Sequence, residues 1–558
     1  MTRDEWHTVT YVFAPTGTSV YFDGERVINN TDTGFISSQG VNTVDLGKTQ
    51  RSGGGNQYPF TGSISYIEVR SDLLTQEQIT DIHKVTLREE KEAELPKDAF
   101  KSEDQQLFYN GYKGSASHRI PSLLTTRNGV VLAAIDKRQS GPGDQGNIDT
   151  AIRRSFDNGK NWTDGQTIIN LPAGQQQHSL TIDAAMVEDE VNGRVFLLVD
   201  MFPESKAAMD TSLLEKGSGY KQVGDKSYCI LRDYESVLNT THNYTKTYTI
   251  REHGEVWLEG AEEADARPTD YTVPDFNTGE LFKDDKPAGN IFLYTGSNAG
   301  ELKVVRNMRI WSTYSDDDGE TWSKPVDLTP MIKEDWMLFT GTGPGVGMQM
   351  SDGRLILPVY ITNSNVGGSQ SAAVIYSDDG GETWDMGETV NDGRILSNGN
   401  VLETKTMNNN GAMMTESQAV EVTNAEGEKE LRLFCRNQGG NVAIASSKDG
   451  GETWGNTLKF DSALRDAYCQ LTIVPYPYDV PGYEGKEMFL FANPDSTYAA
   501  GRNNGTLRLG YFEPQTDEFV WIASRVVELG NYGYSCLSVL GENQIGLFWE
   551  GANLDLNY

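Results

Sequence analysis

An eight-residue pattern, S-x-D-x-G-x-T-W, occurs four times in the chain. The copies run from Ser155 to Trp162, Ser315 to Trp322, Ser377 to Trp384 and Ser447 to Trp454; only the first departs, with Asn161 in place of threonine. Two copies follow the β-like runs Ala373-Val374-Ile375-Tyr376 and Ala443-Ile444-Ala445. The physics is that of a hairpin turn. The aspartate can accept backbone N–H bonds within the turn, glycine takes the positive-φ position, and tryptophan packs back on the sheet. A calcium loop would need D-x-D-x-D-G with a glutamate at position twelve, which is not met. The boxes therefore read as structural turns that punctuate a repeated β architecture.

Asp157, Asp317, Asp379 and Asp449 stand 160, 62 and 70 residues apart. Intervals of roughly 60–70 suit one four-stranded blade with its loops. The interval of 160 is expected to hide a blade without the box together with an insertion at about 204–305, a stretch rich in Tyr, Thr and Asp. Short apolar runs bounded by Gly, Asn and Asp, such as Val195–Val199 and Met488–Phe491, read as strands nearly throughout. The expected fold is all-β, a six-bladed β-propeller with an insertion over 99–558. Residues 1–74 carry strand–turn–strand at 20–27 and a further strand at 59–69, and resemble the second half of a laminin-G-like, concanavalin-type jelly roll, a lectin-like sandwich whose front half is expected to be missing. Between them, 75–98 reads as a linker with a helix at about 75–95, where Thr75 and Gln78 form a capping box and Pro96 closes the segment.

Composition excludes several classes of function. Lys+Arg number 47 against 80 Asp+Glu, a net charge of −33. A nucleic-acid binder needs a basic footprint, and an anionic membrane surface is equally disfavoured. At 37% hydrophobic and 10% aromatic the chain has ample material for a core. No apolar run approaches the ~18 residues of a membrane span. The first residues show no apolar leader, so the sequence is expected to be either cytoplasmic or a trimmed piece of something larger. Cys229, Cys435, Cys469 and Cys536 form neither a disulfide framework nor a zinc site, and the six histidines have no metal-ligand spacing. No metal or other cofactor is expected.

A second signature, Ser117-His118-Arg119-Ile120-Pro121, precedes the first strands. R-I-P followed by four such boxes resembles the bacterial sialidases (exo-α-neuraminidases) over about 100–558. The lectin-like segment and the early insertion are similar to the larger members. Such a site must hold a sialic acid whose carboxylate sits on the carbon that is attacked, and the planar fork of arginine suits a carboxylate best. The resemblance implies a triad of Arg119, Arg436 (in Leu433-Phe434-Cys435-Arg436-Asn437) and Arg502 (in Gly501-Arg502-Asn503-Asn504). In a chain of this charge, a local cationic cluster is needed because the global field repels an anion.

The resemblance also implies the catalytic groups. A carboxylate nucleophile would be repelled by the substrate's own carboxylate, whereas an activated phenol would not, and sialidases depart from the two-carboxylate rule in this way. Tyr534 matches the family's Y-S position, with Tyr532 as the alternative. Glu416, in Thr415-Glu416-Ser417-Gln418, matches the activating base, with Glu421 as the alternative. Asp144, on the Gly/Pro loop Gly141-Pro142-Gly143-Asp144, matches the acid/base, with Asp149 as the alternative. Arg138 is expected toward the ring's O4 side, Asp183 toward the same region or the N-acetyl group, Tyr468 near the anomeric centre and Glu550 behind Arg119. The segment 341–347 looks like a phosphate cradle but lacks G-K-[ST], and reads as a propeller turn close to the pocket.

The implied function is that of a retaining sialidase acting on sialylated glycans through a covalent tyrosyl intermediate. Intramolecular trans-sialylation, transfer to another glycan, and a non-catalytic sialoglycan-binding propeller are the alternatives. A monomer, secreted or on the bacterial surface, without nucleic-acid partners or membrane insertion, is expected.

Overall fold

Short apolar runs, each ended by a turn signal, pair with their neighbours in chain order into six antiparallel sheets, the blades of a six-bladed β-propeller. The computed structural model describes residues 7–31, 49–51, 55–57, 73–76, 78–80, 101–174, 178–205, 214–235, 243–551 and 555–558. It divides into two units, Met1–Asp98 and Ala99–Tyr558.

In the first unit Val9–Ala14, Gly17–Phe22 and Glu25–Asn30 form a three-stranded meander, and Thr49–Arg51 pairs with Gly55–Gln57. The strand expected at 59–69 and most of the helix expected at 75–95 lie outside the described residues. At the start of that helix both capping-box bonds form: Gln78 N–H donates to Thr75 Oγ1 at 3.2 Å and Thr75 N–H donates to Gln78 Oε1 at 2.9 Å.

Blade 1 is Ser117–Thr125, Val131–Arg138, Ile148–Ser155 and Gln166–Ile169, and blade 2 is His178–Asp189, Arg194–Ser205, Arg309–Ser315 and Val326–Asp327. Blade 3 is Phe339–Thr342, Leu355–Thr362, Ser371–Ser377 and Asp385–Met386, and blade 4 is Ser417–Thr423, Lys429–Cys435, Asn441–Ser447 and Lys459–Arg465. Thr472–Tyr476, Met488–Pro494, Asn503–Glu513 and Glu518–Asn531 make blade 5. Blade 6 takes Ser535–Gly541, Gln544–Glu550 and Leu556–Asn557 from the end of the chain and is completed by Gln106–Phe108 from near the start of the unit. Apolar side chains from facing blades form the core: Phe196 and Leu198 of blade 2 pack with Leu357, Val359 and Trp384 of blade 3, and Val420 and Phe434 of blade 4 with Ile473 and Phe491 of blade 5.

The long interval between the first two boxes holds no extra blade. The box at Ser315 closes the third strand of blade 2, and the whole excess length is an insertion between that blade's second and third strands. The insertion folds into its own eight-stranded sheet, from Tyr220–Val223 to Lys303–Val304. The boxes thus mark four consecutive blades. The segment 341–347 is also not a turn: it contains the end of the innermost strand of blade 3 and the Gly345–Val346 bridge that runs parallel to His178–Asp189 of blade 2.

All four boxes are built alike. In the third, Ser377 Oγ donates to Asp379 Oδ1 (2.8 Å) and accepts from Gly381 N–H (2.8 Å). Asp379 in turn accepts from Thr383 N–H (2.9 Å) and Thr383 Oγ1 (2.6 Å). Burial would raise the Asp379 pKa, but the bonds from Thr383 and Ser377 outweigh it and hold the carboxyl below its ordinary value. Gly381 has φ +86°, and a Cβ there would lie 2.2 Å from the Phe196 ring of blade 2. The box therefore needs glycine twice over, for its turn and for contact with the next blade. Gly381→Ala is expected to cost about 2–4 kcal/mol. Gly393→Ala, at φ +71° with open space around it, should cost only about 1 kcal/mol. Unfolding midpoints of the two variants test the difference.

Candidate active site

In an up-and-down blade, the loops from second to third strand and from one blade's last strand to the next blade's first share one face of the ring. Every residue singled out from the sequence for the site lies there. Arg138 and Asp144 begin and occupy the second-to-third loop of blade 1, Arg436 begins that of blade 4 and Arg502 lies on that of blade 5. Glu416, Tyr468 and Tyr534 stand just before the innermost strands of blades 4, 5 and 6, Arg119 lies near the start of that of blade 1, and Asp183 stands at the bulge midway along that of blade 2. The insertion leaves blade 2 through the same face.

At the centre is the Tyr534 hydroxyl. It donates to Glu416 Oε1 and accepts from Arg436 Nη1 at 2.8 Å; the same Nη1 also donates to Glu416 Oε2. The Tyr534 ring is ringed by cations, with the Arg119, Arg502 and Arg436 guanidinium carbons 5.4, 5.1 and 6.0 Å from its centroid. Arg119 is held by Glu550, through Nε to Oε1 at 3.0 Å and Nη2 to Oε2 at 3.3 Å. Glu550 also accepts from the backbone N–H of Ile120 (3.0 Å) and Tyr534 (3.3 Å), so one buried carboxylate fixes both sides of the cluster. Arg502 donates to the Tyr468 carbonyl at 3.2 Å and has no carboxylate in salt-bridge range among the described residues. Tyr468 lies under Arg436, 4.1 Å from its guanidinium carbon.

Asp144 is exposed and bridges Arg138 Nη1 at 2.6 Å and Arg119 Nη1 at 3.4 Å. Arg138 is fully buried, and its other nitrogen reaches Asp136 at 2.8 Å. Asp136 Oδ1 accepts from the backbone N–H of Asp183 at 3.1 Å, which ties blade 1 to blade 2. The backbone is bent to present these groups. Ile120 (φ +61°), Asp183 (φ +61°) and Tyr468 (φ +56°) all lie in the left-handed region, and for a β-branched isoleucine this is a true outlier. The inner-strand register slips between Arg119 and Ser122 and again between Ile182 and Ala185. These bulges re-aim side chains at the centre of the ring.

The alternatives lie elsewhere. The Tyr532 ring fills the space over Gly505, where a Cβ would come within 2.1 Å of it, and stacks beside Trp549. Glu421 accepts from Ser351 and pairs with Lys429. Asp149 is buried against Gln139 and Asn170. Two carboxylates went unread in the sequence. Asp136 sits opposite Arg119, and Asp200 sits opposite Ile182, each across from an inner-strand bulge. Each ends a buried apolar run, Ala133-Ala134-Ile135 and Val195–Val199, and an acid at that spot in two blades was the available signal.

Electrostatics divides the cluster. Burial would lower the Arg119 pKa, but Glu550 first, then Tyr534 and Asp144, push it up; for Arg436, Glu416 and Tyr534 do the same. Burial raises the Tyr534 phenol well above its ordinary value, opposed by Arg436 and Arg502. It stays protonated at rest. Burial pushes Asp136 up to about 7 against the pull of Arg138, and raises Asp183 and Asp200 well above the carboxylate range. Asp200 accepts from Thr342 N–H at 2.9 Å, while its Oδ2 is buried with no bonding partner among the described residues. The folded state therefore keeps the Asp200 proton after the unfolded state, with an ordinary aspartate, has lost it. This contribution is level below about pH 4, and as pH rises further it destabilises the fold by about 1.4 kcal/mol per unit. Asp200→Asn should remove that slope, so the variant gains stability over the parent as pH rises above about 4. Urea titrations at three pH values read the difference.

A family model described as a BNR repeat-like domain matches residues 245–540, more than half of the chain, and one described as Concanavalin A-like lectin/glucanases superfamily matches residues 1–80. An anhydrosialidase of Macrobdella decora is 28% identical over 92% of this chain, and a sialidase of Bacteroides fragilis is 28% identical over 79%. The chain spans 66% and 61% of the lengths of these two proteins. Among solved structures, the intramolecular trans-sialidase of Ruminococcus gnavus in complex with oseltamivir carboxylate superposes with a TM-score of 0.63 at 28% identity, over 80% of this chain and 94% of that one. A six-bladed ring with four boxes, three arginines gathered on one tyrosine and these matches lead to one assignment: the chain belongs to the BNR-repeat sialidase family.

Proposed function

We propose that the chain is a retaining exo-sialidase that removes terminal α-linked sialic acid from glycans through a tyrosyl-sialosyl intermediate. The observation that carries this reading is the Tyr534 hydroxyl, hydrogen-bonded between Glu416 and Arg436 with Arg119 and Arg502 around its ring. Three guanidinium groups gathered around one phenol make a receptor for a carboxylate borne by the carbon under attack. Arg502, free of any carboxylate partner among the described residues, is the least compensated of the three.

In this reading the substrate carboxylate is bound by the triad, which brings the anomeric carbon to Tyr534 Oη. Glu416 takes the phenolic proton as the C–O bond to tyrosine forms. Asp144 gives its proton to the leaving glycosidic oxygen as that bond breaks. An acceptor hydroxyl then loses its proton to Asp144 and displaces Tyr534, whose oxygen recovers its proton from Glu416. The positive charges that pull the phenol pKa down against burial stabilise the phenolate-like oxygen at both steps. Arg138 faces the ring's O4 side from behind Asp144, Asp183 faces the same region or the N-acetyl group, Tyr468 flanks the anomeric centre, and Glu550 positions Arg119. The strained backbone at Ile120, Asp183 and Tyr468 supports a preorganised site.

The acceptor separates two products. Water gives free sialic acid. The sugar's own hydroxyl gives an anhydro product one water lighter, a second reading supported by the two relatives whose names state that chemistry, the anhydrosialidase and the intramolecular trans-sialidase. Sialylated glycans are the expected partners, met outside the cell. Among the described residues no helix is long and apolar enough to cross a membrane.

Mass spectrometry of the products from α2-3- and α2-6-sialyllactose, without added metal, decides the acceptor. Lactose with free sialic acid supports hydrolysis, lactose with the lighter product supports intramolecular transfer, and no lactose overturns the proposal. Tyr534→Phe should lower kcat at least about 10³-fold, some 4 kcal/mol of barrier, while sialoside binding persists. Unchanged turnover would remove Tyr534 from its role.

A further inference from the structure

The second strand of blade 1 turns one face toward blade 2. That face is apolar at first, with Leu132 and Ala134 sharing a core with Ala184, Met186 and Leu197. Toward the active-site face it continues at the same period into two wholly buried charges, Asp136 and Arg138. An apolar pair in such a place would hold the blades together at least as well, so the charges need a reason beyond packing. Arg138 Nη2 donates to Asp136 Oδ2 at 2.8 Å, and its Nη1 donates to both the Pro142 carbonyl and Asp144 Oδ1, each at 2.6 Å. Asp136 is fixed in turn from blade 2, its Oδ1 accepting from Asp183 N–H at 3.1 Å. The loop that Arg138 grips has little else to hold it. Gln139 N–H donates to the Asn147 carbonyl at 2.9 Å and closes its base. Beyond that base, and among the described residues, 140–146 hydrogen-bond to two side chains only, Arg138 and Arg119. Three of these seven residues are glycine, and the Asp144 side chain is 57% exposed, so neither backbone stiffness nor packing fixes it.

We propose that Asp136 is a positioning residue for proton transfer to the leaving sugar. It fixes Arg138, and Arg138 holds the glycine-rich loop at the two points that set where the Asp144 carboxyl lies. The loop's other hold, Arg119, belongs to the carboxylate triad. A substrate carboxylate seated on Arg119 competes with Asp144 for it, which leaves the Asp136–Arg138 arm as the tether of the loop when the proton moves. Because the arm ends on the Asp183 backbone, the exposed acid is placed relative to the inner strand of blade 2 and not by its own loop. Placement of this kind is what proton transfer within a bound complex requires. The clamp is read from its bonds alone; its part in proton transfer rests on the proposed sialidase chemistry.

Two substrates that share the sialic acid and differ in the leaving group isolate the step. The lactose of a sialyllactose needs a proton to depart, whereas the nitrophenolate of a 4-nitrophenyl sialoside leaves without one. Any effect of a variant on sialic acid recognition is common to both and cancels in the ratio of their kcat/KM values. Asp144→Ala, which removes the acid outright, sets the scale. Asp136→Asn keeps the size of the side chain and its bond from Asp183 N–H. It should lower kcat/KM for sialyllactose at least about tenfold more than for the aryl sialoside. Arg138→Lys, with one nitrogen in place of the fork, should show the same split and keeps the test open if Asp136→Asn folds poorly. Equal losses on the two substrates, or no loss, overturn the inference. Crystal structures of the full chain give a readout that needs no turnover: Asp136→Asn should lose the Arg138–Asp144 bond, and its retention together with the Pro142 bond overturns the clamp. A parent that turns over neither substrate would sink the proposed function, and the structures would still decide the clamp.

Discussion

Everything at the centre of this ring depends on its being shut. Blade 6 is closed by pairing Leu556–Asn557 with Gln106–Phe108, strands separated by almost the entire unit. The pairing is short but leads straight to the site. Phe108 stands opposite Leu556, and Leu556 stands opposite Glu550, the residue that grips Arg119 from across the junction of blades 6 and 1. The Phe108 ring also lies 5.6 Å from His118, the neighbour of Arg119 in the chain. Closure and the placement of the first arginine are thus one construction, with the Arg119–Glu550 pair as its innermost rung.

The cluster is expensive to assemble. Arg138, Asp136, Asp200 and Glu550 are almost wholly removed from water, and isolated charges in such places would cost several kcal/mol each. Two devices offset this. Arg138 and Glu550 are paired and multiply hydrogen-bonded, whereas Asp183 and Asp200 hold their protons and carry no charge to bury. The result is four arginines gathered at the centre, of which Arg502 has no carboxylate in salt-bridge range among the described residues, inside a chain whose net charge is −33. Over distances beyond a Debye length of about 8 Å the surrounding acids are screened, so an anion at the centre meets the arginines first.

Much of this was legible in the sequence, and the misses have physical causes. The boxes were read correctly as turns because serine, aspartate, glycine and threonine each satisfy a local bond that needs no tertiary information. Spacing was less informative. An interval of 160 can be one blade with a large insertion or two blades with a small one, and only strand pairing between Arg194–Ser205 and Arg309–Ser315 separates them. Glycines 341, 343, 345 and 347 suggested a turn, but at the axis of a propeller they let neighbouring inner strands pass closely: a Cβ on Gly343 would lie 2.8 Å from the Ser417 carbonyl of blade 4. The choice of Tyr534 over Tyr532 came from the resemblance alone. In the structure, local geometry separates them, since Tyr532 is turned under Gly505 and Tyr534 toward the arginines. Asp136 and Asp200 were missed because a buried acid at the end of an apolar run has no local signature of the backbone N–H it accepts from, which lies on the next blade: that of Asp183 for Asp136 and that of Thr342 for Asp200.

The closing strand is also where the chain enters the propeller. Tension drawn along the chain at that point falls first on a short ladder and the mutual pair of Gln105 and Tyr558 backbone bonds, with Leu107, Phe108 and Leu556 packed in the core directly behind them. Two rungs in from it stands Glu550, so mechanical load would loosen the support of Arg119 while the other five blades remain intact. A molecule tethered from that side carries, in its seam, a link through which pulling acts on the grip of its innermost cation.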